Sequence, residues 1–114
     1  MLSKREHIIK KAVKVTVSAF KDRTPEFIMH LFYGAVDISP RNLVVWYVFE
    51  TDSDLKSAKA SGLCDEITKE TVNNLILNGY PEDALKTEGK STVCFTTQED
   101  VDRKADGDYR LYFQ

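Results

Sequence analysis

At 114 residues the chain has the size of one domain, 1–114, and a second independent core is not expected. Hydrophobic side chains make up 42% and charged ones 30%, a balance that excludes an intrinsically disordered chain. The longest apolar run, Leu43 to Phe49, is far below the roughly 18 to 20 residues that span a bilayer, so no membrane segment is expected.

The net charge of −2 is unevenly distributed. Residues 1–23 carry seven Lys/Arg against two acids, and the rest of the chain carries nine against sixteen. A basic helix on an acidic body reads first as a solvated helix face, and a sequence pI near 5.7 argues against a dedicated nucleic-acid binder.

Ser3 and Glu6 form an S-x-x-E capping box, after which Ile8, Ile9, Ala12, Val13, Val17 and Phe20 recur at helical spacing and predict a helix over 4–21. Lys10, Lys11 and Lys14 fall mostly off that stripe, and Thr24-Pro25 closes the segment. Residues 27–36 and 42–50 are rich in aromatic and β-branched side chains and read as a hairpin around Asp37-Ile38-Ser39-Pro40-Arg41-Asn42. The second of these strands is apolar on both faces, which predicts a central position.

Thr51, Asp52, Ser53 and Asp54 supply N-cap candidates for a short helix ending near Gly62. A longer helix follows to Asn78, with Gly79 as its C′ residue, and then a single turn begins at Pro81. Residues 91–96 read as a third strand. Thr97 caps a short helix, and 109–113 reads as a fourth strand. The expected fold is α+β: a mainly antiparallel four-stranded sheet with helices packed on one face, in the order α-β-β-α-α-β-α-β. An unpaired edge on the last strand would offer a homodimer contact.

Chemical motifs are scarce. Cys64 and Cys94 lack a C-x-x-C partner, and neither His7 nor His30 belongs to a zinc-binding pattern, so no metal or other cofactor is expected. Two cysteines with apolar neighbours read as buried thiols of a cytoplasmic protein. The five glycines, at 34, 62, 79, 89 and 107, form no phosphate cradle, and no G-x-S-x-G is present. Asp100-x-Asp102…Asp106-Gly107-Asp108 resembles a calcium loop only until Phe113 falls where a bidentate glutamate belongs.

Tyr33, Trp46, Tyr47, Tyr80, Tyr109 and Tyr112 are more amphipathic aromatics than a small core readily hides. Set near carboxylates, they nominate Trp46, Glu50, Asp52, Asp54, Tyr109 and Tyr112 as a binding surface for a basic protein. The run from Thr97 to Phe113 is similar to the tails of small bacterial single-domain proteins, some of which neutralise toxins. It covers under a fifth of the chain and carries no diagnostic motif, so no family is assigned. The expectation is a noncatalytic protein-binding module, a bacterial immunity or regulatory factor. The alternative is a small enzyme or ligand-binding domain with a sheet–helix pocket in which His30 and Cys94 meet across neighbouring strands.

Overall fold

The capping box forms as the sequence dictates: in the computed structural model, which describes residues 2–85 and 92–113, the Glu6 amide donates to Ser3 Oγ at 3.2 Å. In return the Ser3 amide donates to the Glu6 carboxylate at 3.1 Å. Such a cap is worth about 1 kcal/mol. The helix it starts, α1 (Lys4–Phe20), buries Ile9, Ala12, Val13, Thr16 and Phe20 and leaves Lys10, Lys11 and Lys14 in water.

Strand β1 (Phe27–Tyr33) stops at Gly34, whose φ of 121° suits only glycine. The connection contains a 3₁₀ turn (Pro40–Asn42) capped by Ser39 and leads into β2 (Val44–Phe49), antiparallel to β1. The chain then runs through α2 (Asp52–Ala60), α3 (Leu63–Leu77) and a 3₁₀ turn (Glu82–Leu85) to β3 (Val93–Thr97). Gly79, with φ 98°, ends α3: its amide donates to the Ile76 carbonyl while the Tyr80 amide reaches back to that of Leu75. Two short helices finish the chain, α4 (Gln98–Ala105) and α5 (Tyr109–Tyr112).

The fold is α+β, but the expected mainly antiparallel four-stranded sheet is corrected, among the described residues, to a three-stranded mixed sheet in the order β1-β2-β3. Strand β3 runs parallel to β2, because the two helices between them carry the chain back to the end of the sheet where β2 begins. The element order becomes α-β-β-α-α-β-α-α. The predicted fourth strand is α5: Asp106 and Gly107 turn the chain through left-handed conformations, and the Asp108 carboxylate accepts from the Arg110 and Leu111 amides. This local cap outweighs the strand-like composition of 109–113, and the edge proposed there for a homodimer does not exist. Ser91, the expected first residue of the third strand, and Gly89 lie outside the described residues.

Helices do not keep to one face either. Val45, Tyr47 and Phe49 point inward, fully buried, and form one cluster with Ile9 and Val13 of α1 and Ile67 and Leu75 of α3. On the other face, Phe113 and Tyr112 of the C-terminal segment lie against Trp46 and Thr96.

The core also holds a polar network. Thr71 Oγ1 donates to the Ile67 carbonyl at 2.7 Å, so its bond with Tyr47 Oη at 2.8 Å requires the tyrosine to donate. Thr16 donates to the Ala12 carbonyl and accepts from Asn74 Nδ2, both at 2.9 Å, tying α1 to α3. Among the described residues no buried side-chain polar atom lacks a partner.

Candidate functional site

In open α/β sheets ligands gather beyond the carboxyl ends of parallel strands, because helix N-termini converge there. Strands β2 and β3 end side by side and feed α2 and α4. Each helix is capped by a threonine: Thr51 Oγ1 accepts from the Asp54 amide and Thr97 Oγ1 from the Asp100 amide, both at 3.0 Å. The two ends then cap each other. The Asp52 amide donates to the Glu99 carboxylate at 2.7 Å, and Thr97 Oγ1 donates to Asp52 Oδ1 at 2.6 Å. Arg103 bridges Asp52 and Asp100 at 3.1 and 2.8 Å, and Lys104 adds a 3.2 Å pair to Asp100. The positive helix ends are thereby neutralised by the chain's own carboxylates, which leaves little attraction for an external anion.

Above this network lies an aromatic groove. The strand register puts Tyr33, Trp46 and Thr96 on the outer sheet face, where α5 delivers Phe113. The Phe113 ring centroid is 5.1 Å from that of Trp46, 4.9 Å from Tyr112, and 6.1 Å from both Tyr33 and Tyr109. Hydrogen bonds lock the rims: Trp46 Nε1 donates to Tyr33 Oη at 3.1 Å, Tyr109 Oη donates to Gln98, and Tyr112 Oη donates to Asp100. With its proton so committed, Tyr112 accepts from Thr96 Oγ1 at 2.6 Å. A groove of about 460 Å³ remains between Tyr33, Trp46, Lys104, Leu111, Tyr112 and Phe113.

The nominated residues divide between these features. Trp46, Tyr109 and Tyr112 are half-buried members of the aromatic cluster, Glu50 is exposed just after β2, and Asp52 and Asp54 stand in the first turn of α2. Asp52 is held by Thr97, Arg103 and its own helix, and its bond from Thr97 above all lowers its pKa, so its visible role is structural. Of the six aromatics, Tyr47 and Tyr80 are core residues, whereas Tyr33 is 39% exposed. Sequence reasoning missed Phe113, the ring around which the cluster assembles, because it treated the segment as a strand. The D-G-D sequence at 106–108 is the helix-capping signal that would have found it.

His30 and Cys94 do not meet. His30 pairs with Tyr47 and faces inward, Cys94 pairs with Trp46 and faces outward, and β2 lies between their strands. Strand spacing alone separates them by about 10 Å. Burial lowers the His30 pKa and raises that of the Cys94 thiol, shifts that disfavour an imidazolium–thiolate pair. Among the described residues no group of three or more His, Cys, Asp or Glu is arranged to hold a metal ion, and no helix is long and apolar enough to cross a membrane.

The Asp100 carboxyl is held down at about 2, first by the hydrogen bond from Tyr112 and then by Arg103. A depressed folded-state pKa contributes stability that is complete above about pH 4 and fades as pH falls toward 2. Tyr112→Phe should therefore cost about 1 kcal/mol at pH 7. The gap from wild type should narrow between pH 4 and 2, as read by urea denaturation, and the Asp100 carboxyl should titrate higher by NMR.

No protein family, no curated protein and no solved structure matches this chain.

Proposed function

We propose that this chain is a noncatalytic protein-binding module of the immunity or regulatory kind, acting in the cytoplasm, which takes a basic protein at the outer-face aromatic groove. The observation that carries this reading is the groove itself, whose rings are fixed by hydrogen bonds while part of their surface stays open. Rigid aromatic anchors bind with little loss of side-chain entropy. Around the groove and strand ends, residues 50–54 and 98–110 carry eight carboxylates against three basic side chains, which favours a basic partner. The two thiols, Cys64 and Cys94, suit a reducing compartment. The enzyme alternative built on His30 and Cys94 is weakened by their placement on opposite sheet faces.

Trp46 is the only tryptophan, so its emission reports on the groove directly. The test is affinity capture at two salt concentrations, followed by titration of the recovered basic protein against Trp46 emission. Phe113→Ala should weaken binding at least tenfold with the fold retained. Glu50→Gln with Asp54→Asn should chiefly slow association and flatten its salt dependence. Unchanged emission at saturation, or full affinity in Phe113→Ala, sinks this assignment of the surface.

A further inference from the structure

We infer a second binding surface, independent of the aromatic groove: the edge of β1 and the cleft beneath α1 take an extended acidic segment of another protein by strand addition. Strand β1 forms one edge of the sheet, and among the described residues it pairs on one side only, with β2. Its seven residues, Phe-Ile-Met-His-Leu-Phe-Tyr, include no Asp, Glu, Lys, Arg or proline to protect the edge, and the one register shift falls at its start, between Phe27 and Met29, which leaves Met29 to Tyr33 regular. Ile28 and Met29 are 52% and 37% exposed. A strand edge of this kind offers an alternating row of amide donors and carbonyl acceptors to an incoming chain.

The inner side of that edge is shaped for side chains. A groove of about 690 Å³ opens between α1 and β1, its lining including Val13, Val17 and Phe32 together with Lys10, Lys14 and His30. Lys10 and Lys14 are exposed, and neither forms an ion pair among the described residues. An added strand would place its inward side chains here, so apolar residues alternating along it would meet Val13, Val17 and Phe32. Carboxylates would reach the lysines.

Charge also selects the occupant. A second copy pairing β1 to β1 about a twofold axis would bring two α1 helices together, each from a segment carrying seven Lys/Arg against two acids. Like charges at that seam oppose self-association, whereas an acidic strand relieves them.

The test is selection of a displayed library of random twelve-residue segments on the wild-type chain, counter-selected on Lys10→Glu with Lys14→Glu. Both lysines are exposed, and circular dichroism confirms that the double variant is folded. The expected result is enrichment of proline-free segments that mix apolar and acidic residues. Their affinity should fall at least tenfold in the double variant, and the bound peptide should slow amide exchange within 27–33. Enriched segments without acids, no enrichment, undiminished binding to the double variant or unchanged exchange at β1 each overturn the inference. So does sedimentation of the chain alone as a dimer with β1 amides protected, which would assign the edge to a second copy. Binding of dodecanoate with no peptide selected would assign the cleft to a small anionic amphiphile instead.

Discussion

Gly34→Ala is expected to destabilise the chain by about 3 kcal/mol or more, a large part of the 5 to 15 kcal/mol typical of a domain. Two costs combine there. A φ of 121° lies where an L side chain is strained, and an added Cβ would sit 2.0 Å from the Asn42 carbonyl oxygen and 2.8 Å from its carbon. Both are backbone atoms, so no side-chain rotation can relieve the clash. The strand end and the turn into β2 would have to separate, and with them the register that puts Trp46 beside Tyr33. Gly62→Ala is the matched control, since Gly62 has a φ of 85° but nothing within 4 Å of the new methyl. It should cost only the backbone preference, about 1 to 2 kcal/mol. Urea denaturation of the two variants measures the difference. Equal costs would mean that the hairpin relaxes around Asn42 and that the contact is unimportant.

Tyr47 should give the chain a marked alkaline instability. Its hydroxyl lies in the core with its proton donated to Thr71, and burial, the first cause, pushes its pKa up to about 12 from an ordinary value near 10. A raised folded-state pKa supplies stability that is complete below the unfolded value and is lost as pH rises through the folded one. The loss should therefore run from about pH 10 to 12 and reach about 2 to 3 kcal/mol. Tyr47→Phe removes the titration and leaves Thr71 without its donor. At pH 7 the variant should be less stable by about 1 kcal/mol. By pH 12 the order should invert, because only the wild type has to bury or expose a phenolate. Denaturation curves for both proteins at pH 7, 10 and 12 decide the matter. A constant gap across that range would mean that Tyr47 reaches solvent before it ionises.

Much of the local structure was legible in the sequence. The capping box at Ser3, the cap at Thr97, the Gly79 terminus and the apolar β2 all formed where their chemistry placed them. Each depends on groups within a few residues of one another. The helix at 109–112 was also local, since Asp108 holds it, but the composition of Tyr-Arg-Leu-Tyr-Phe imitated a strand more strongly than one carboxylate signalled a cap. The candidate site was legible only in part. Trp46 and Tyr112 could be suspected from their amphipathic character, yet their common neighbour Phe113 needed the turn at Asp106 and Gly107 to reach the outer face. Asp52 looked like a free rim carboxylate until the fold brought Thr97 and Arg103 to it from more than forty residues away.

The sequence by itself therefore determined where the first four helices begin, which of their faces are apolar, and that the charge is divided between a basic first helix and an acidic body. These follow from side-chain periodicity and from hydrogen bonds that close within one turn of chain. Only the tertiary structure decided that β3 lies parallel to β2, that β1 forms an edge, that His30 and Cys94 face opposite ways, and that two helix N-termini neutralise each other. Those outcomes depend on how two intervening helices carry the chain back across the sheet, a choice made by packing the whole core at once rather than by any short stretch of residues.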